Sequence, residues 1–284
     1  MADIYTLLDR DGNAFRVMVF APPEDRRRAV RVVVLPGANC EAVRYRWLSD
    51  ALSAEGATVF IPHPPILEHP SHQNPHEKVE AAYVTVDQLV KTLAMPWTDD
   101  GEEGLTFLIG HSLGGSILLE YLDPAQAMAD PRSGVGAEYK PPAAIHGGVA
   151  VGASLQANVM GTGLPWRSND SALHKPAKLP LLFVAGEKDE IASPDIVAAT
   201  VSRYTAPTAL VVQKGANHFG WVDGESTREA HALDGAASLK PEAQKSGLLR
   251  VAAAFMSAIA DDRPDRIANA LRDVAADGDT VEVR

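Results

Sequence analysis

The sequence predicts an α/β protein: a mostly parallel sheet of eight strands, opened by an antiparallel hairpin and flanked by helices on both faces. Three observations lead there. Short β-branched runs alternate along most of the chain with helical stretches long enough to cross back over a sheet. The inner runs are apolar throughout, as strands covered on both faces are. The first two runs flank Asp11-Gly12, a dipeptide that accepts the positive φ of a tight hairpin turn.

Taken in order, IYTLL and FRVMVF form the hairpin, and VRVVVL follows the charged loop PPEDRRR as the first fully buried strand. A helical stretch near 41–55 precedes the strand ATVFIP, and another near 76–94 precedes LTFLIG. SILLEYL is helical, AAIHGGVAVGA and LPLLFVAG are strands, a helix near 194–204 follows, TALVVQ is the eighth strand, and an alanine-rich helix spans about 241–260. Strands joined through helices imply right-handed crossovers. Two inserts, about 123–142 and 155–179, interrupt the alternation but are too short to hold a core of their own. The expectation is therefore one domain over 1–284, with its core at about 3–260. The helix-like RIANALRDVAA and a tail, DGDTVEVR, to which no role is assigned, make up 261–284.

Composition narrows the function. Of 284 residues 26 are basic and 37 acidic, for a net charge of −11. That deficit of cations disfavours nucleic acid and anionic membrane surfaces, which both need a positive patch. No run approaches the roughly 20 apolar residues that span a bilayer. The first residues lack a basic segment followed by an apolar one, so a cytoplasmic location is expected. Cys40 is the only cysteine, which leaves no intramolecular disulfide, and GANCEAV supplies no basic partner to make it a nucleophile.

The strongest local signal is Gly110-His111-Ser112-Leu113-Gly114-Gly115, set between a strand and a helix. This is the G-x-S-x-G elbow in the context it needs: the glycines allow a sharp turn that lifts the serine hydroxyl above the sheet. A serine needs a histidine base and a carboxylate to orient it, in the order Ser, acid, His for this elbow. Asp189 follows the strand LPLLFVAG and His218 follows TALVVQ, so both lie on the sheet edge where strands end. Glu187 and Glu190 compete with Asp189, which is preferred because the Gly186-x-x-Asp189 spacing lets the chain fold back toward the serine. His231 competes with His218 but has no strand before it. For the oxyanion, the N–H of Leu113 and one from the loop Leu35-Pro36-Gly37-Ala38-Asn39, that of Ala38, are expected.

PGAN, GHSLGG, AGEKDEIASP and GANHFGW together resemble the α/β-hydrolase superfamily over roughly residues 14–260, and within it the dienelactone-hydrolase, chlorophyllase and polyester-hydrolase group. The resemblance implies an eight-stranded sheet without a large cap, metal- and cofactor-free hydrolysis, and the roles above for Ser112, Asp189, His218, Ala38 and Leu113. Asn217 stands where many members have glycine, Ser193-Pro194 replaces a proline-first turn, and the signal peptide and disulfides of secreted polyester hydrolases are missing, so a polymer substrate is not carried over.

Weaker signals surround this set. His63, His69, His72 and His76 lie in one proline-broken stretch, but neither a cysteine nor enough carboxylates complete a zinc site, so a substrate-contacting loop is expected instead. Asn39, His63, His111, Trp166 and Trp221 are the candidate substrate contacts. The expected chemistry is cleavage of a small or medium carboxylic ester, lactone or thioester through an acyl-enzyme. Acyl transfer to another acceptor and a non-catalytic ligand-binding role are the alternatives, and oligomeric state is left open.

Overall fold

The computed structural model describes residues 3–8, 14–38, 40–62, 89, 104–122, 145–154, 179–202, 204, 207–224 and 232–284. Among the described residues nine strands form one sheet: β1 (Asp3–Leu8), β2 (Ala14–Phe20), β3 (Val30–Leu35), β4 (Thr58–Pro62), β5 (Leu105–His111), β6 (Ile145–Val151), β7 (Leu181–Gly186), β8 (Thr208–Gln213) and β9 (Thr280–Val283). Their spatial order is β1-β2-β4-β3-β5-β6-β7-β8-β9. From β4 to β8 every pairing is parallel, while β1–β2, β2–β4 and β8–β9 are antiparallel. The predicted architecture is observed with one correction. The sheet has nine strands rather than eight, because the tail left without a role pairs Thr280–Val283 with β8. TVEV escaped notice because it is short, edge-located and largely exposed, so it carries none of the apolar continuity that marks the inner strands.

Strand periodicity sorts side chains into two cores. Val33 and Leu35 of β3, Leu108 of β5 and Phe183 of β7 face one side, where α2 (Leu113–Tyr121) and α3 (Pro194–Val201) cover them. Val32, Val34, Phe107, Ile109 and Val184 face the other, under α1 (Arg46–Ala54), α4 (Pro241–Ala260) and α5 (Ile267–Val274). The helix predicted near 76–94 and both inserts lie outside the described residues, except that Leu89 is helical and fully buried in the first core. Asp11-Gly12 lies outside them as well, although the register Leu8↔Ala14 is that of a hairpin. Among the described residues no helix is long and apolar enough to cross a membrane.

The C-terminal helix is an integral layer. Its apolar residues recur on one face, Ile267 and Leu271 are buried against α4, and the strand after it closes the sheet with reciprocal main-chain bonds between Thr208 and Arg284. Leu271→Ala should therefore lower the unfolding free energy by about 2–5 kcal/mol, the usual cost of a buried leucine cavity. Urea denaturation reads it, and an unchanged midpoint would contradict this packing.

Candidate active site

The site forms where β5, β6, β7 and β8 end, since parallel strands deliver all their following loops to one edge. Ser112 sits at the β5–α2 turn with φ 52°, in the left-handed region that costs a side-chain-bearing residue roughly 1–2 kcal/mol. The turn is held from both sides: Ser112 N–H donates to Val151 O at 2.8 Å, and Ser116 N–H donates to Ser112 O at 3.0 Å. Its glycines are there for space. A Cβ on Gly114 would collide with the carbonyl oxygens of Leu35 and Pro36, and one on Gly115 with Ala153.

Asp189 and His218 meet as a buried pair. His218 Nδ1 donates to Asp189 Oδ2 at 2.8 Å, and both side chains are almost fully enclosed. The chain turns directly after β7, with Asp189 N–H bonded to Gly186 O. Asp189 Oδ1 accepts N–H groups from Ile191 at 2.9 Å and Ala192 at 2.6 Å, which fixes the carboxylate and leaves Oδ2 to the imidazole. The competing Glu187 and Glu190 are exposed, and Glu187 accepts the Gly215 N–H instead. His231 lies outside the described residues. Backbone crowds the pair: a Cβ on Gly152, which has φ 52°, would stand 3.1 Å from His218 Nδ1 and 3.2 Å from Asp189 Oδ2.

A chain of buried polar groups joins the loop after β3 to the main chain of His218 through His111, the residue before the serine. Gly37 N–H donates to Tyr45 Oη at 2.9 Å, Tyr45 Oη lies 2.8 Å from His111 Nδ1, and His111 Nε2 lies 3.1 Å from His218 O. Because a carbonyl can only accept, His111 Nε2 carries the proton, and its Nδ1 accepts from the Tyr45 hydroxyl. Burial pushes the Tyr45 phenol well above its usual range. Burial first, then the nearby His218, push His111 well below 6.5, so both groups are neutral at pH 7. The His111 and His218 rings stand 4.9 Å apart.

The other expected residues fall as follows. Leu113 is the first residue of α2, where main-chain N–H groups have no partner within the helix. Ala38 is half-buried beside Gly37, where a Cβ would be 3.2 Å from Ser112 Cβ. Trp221 is buried, with its indole N–H on Gln213 Oε1, and His111 is buried with both ring nitrogens engaged within the protein. Asn39, Trp166 and the four histidines at 63, 69, 72 and 76 lie outside the described residues. Among the described residues no group of three or more His, Cys, Asp or Glu could hold a metal ion. Cys40 is buried beside the Gly37 loop, and desolvation raises its thiol above the usual range.

Sequence reasoning missed Tyr45, Gly152, Gln244 and Asp234. Asn217, noted only as a departure, is now explained. Its amide oxygen accepts the Gly220 N–H, its amide nitrogen donates to Gly235 O, and Gln244 bonds its main chain on both sides. A glycine there would keep the two main-chain bonds to Gln244 but lose those to Gly220 and Gly235. Ser193-Pro194 is the start of α3, with proline at the first helical turn, where its missing N–H costs nothing.

No protein-family model and no curated protein matches this chain. Solved structures do. An α/β serine hydrolase without lid from Xanthomonas campestris is 17% identical with a TM-score of 0.51, covering 77% of this chain and 86% of that one. The esterase domain of a Rhodothermus marinus protein is 16% identical (TM-score 0.52; 77% and 90% covered). Esterase 2 of Thermogutta terrifontis, phosphonylated by cyclosarin, is 13% identical (TM-score 0.57; 81% and 89% covered). The chain has the α/β-hydrolase fold.

The buried neutral His111 has a consequence for stability. The unfolded chain takes up a proton on this residue near pH 6.5 while the folded one does not, so stability is full above that pH and falls as acid is added below it. In His111→Gln this part of the acid loss should vanish, giving a shallower fall of unfolding free energy below pH 6.5 in urea titrations. An identical slope would show that His111 is not held neutral.

Proposed function

We propose that this α/β-hydrolase fold carries a serine hydrolase acting on a small or medium carboxylic ester, lactone or thioester. The observation that carries the reading is the buried Asp189–His218 pair on the same sheet edge as a serine held at positive φ. With Nδ1 committed to Asp189, the imidazole presents Nε2 as an acceptor, the tautomer a general base needs. His218 removes the Ser112 proton as Oγ attacks the acyl carbon, and Asp189 stabilises the imidazolium that forms. The proton then passes to the leaving group, and water repeats the sequence on the acyl-enzyme.

Oxyanion stabilisation falls to the N–H groups of Leu113 and Ala38. Of the loop's candidates, Pro36 has no N–H and that of Gly37 is spent on Tyr45, which supports Ala38 as the donor. The single sheet shared by all described strands supports reading the chain as one domain. The names of two solved neighbours, both esterases, support an ester substrate.

Ser112→Ala should lower turnover of a short-chain p-nitrophenyl ester by at least on the order of a thousandfold and abolish labelling by a fluorophosphonate. Activity retained in the variant would sink the assignment. Products formed with added alcohol or peroxide decide whether water or another acceptor takes the acyl group.

A further inference from the structure

One side chain at the site has no part in the scheme above. Asp234 lies far along the chain from any strand of the active-site edge, yet its half-buried carboxylate gathers four main-chain N–H groups from three stretches. Oδ2 accepts from His218 at 2.8 Å and Phe219 at 3.2 Å. Oδ1 accepts from Glu190 at 3.3 Å and Gly235 at 2.9 Å. His218 is the proposed base, and Glu190 directly follows the proposed acid.

The stretch that delivers Asp234 is itself fixed to the base loop. Asn217 holds Gly235 O, and the N–H groups of Ser238 and Leu239 both donate to Gly215 O. On the other side, Gly235 packs so closely on Lys188 that a Cβ there would overlap the Lys188 carbonyl oxygen. The carboxyl is raised from its usual range by burial and by the charge of Asp189, and drawn back by His218, which reports how near both members of the pair lie.

We propose that Asp234 is a positioning residue of the triad: one carboxylate ties the main chain of the base to that of the acid and so sets the register in which His218 meets Asp189. This rests on the Ser112–His218–Asp189 reading. The loops leaving β7 and β8 keep two main-chain bonds, Glu187 N–H to Gln213 O and Lys188 N–H to Ala216 O, which stop short of Asp189 and His218. A bidentate acceptor between their N–H groups supplies the missing rung. The pair needs it because displacement of a reacting group by about 1 Å costs on the order of a hundredfold in rate.

The test uses the full chain with Asp234→Asn and Asp234→Ala, beside Ser112→Ala. For a short-chain p-nitrophenyl ester, kcat should fall roughly tenfold to a hundredfold in the alanine variant and less in the asparagine variant, which keeps one acceptor oxygen. KM should stay within about twofold, since nothing that touches the substrate has changed. In proton NMR, the deshielded His218 Nδ1–H resonance should broaden or move upfield in both. Should the alanine variant not fold, the isosteric asparagine variant carries the comparison. Folded variants with the parent kcat and an unchanged resonance would overturn the proposal, and so would a loss of thermal stability with kcat intact. Parent-like Asp234 variants beside an inactive Ser112→Ala remove only the role of Asp234. Turnover surviving in Ser112→Ala removes the triad reading, and the resonance then decides Asp234 by itself.

Discussion

The strained turn at Ser112 is the constraint around which the rest is arranged. A left-handed serine persists only where its surroundings over-determine it. Here the determinants come from three strands and a helix: β5 leads into the turn, β6 accepts its N–H, the end of β3 presses on Gly114, and the first turn of α2 begins at once. Loosening any of these would let the backbone relax to a commoner conformation and carry the hydroxyl away from the edge. The apolar layers on both faces matter to the site for this reason, since they hold β3, β5 and β6 at the spacing the turn requires.

Beyond the ends of the strands, order is maintained by side chains bonded to distant main chain. Tyr45 and His111 connect the β3 loop to the carbonyl of His218, Asn217 and Gln244 lock the two sides of the loop after β8, and Asp234 spans from His218 to Glu190. Each of these buried or half-buried groups is satisfied by partners, and a satisfied polar network rigidifies what a merely apolar filling would leave adaptable.

This division explains what could be read from the chain alone. The turn at Ser112 and the Asp189–His218 pair were legible because each residue announces itself locally: glycines around a serine, then a carboxylate and an imidazole each just past an apolar β run. The inner strands were legible for a similar reason, as continuous β-branched stretches. Asp234 and Tyr45 carry no such mark, because all the partners of Asp234 and one of those of Tyr45 are main-chain N–H groups, which every residue but proline has and which no residue type betrays. Asn217 was visible as a departure but not as a bracket, for its partners Gly220, Gly235 and Gln244 meet only in three dimensions. β9 was lost because an edge strand packs on one side only and can be polar.

The order of the strands also sets where the ends of the described chain emerge. β1 and β9 are the two margins of the sheet, so Asp3 and Val283 are separated by its whole width, about 38 Å at the usual strand spacing before twist. Most domains bring their termini near each other; this one does not. A circularly permuted version would need a flexible connector of roughly fifty residues for its average reach to bridge that gap. Tags or fusion partners placed at the two ends would look out from opposite flanks, with the edge that carries Ser112 and His218 running between them.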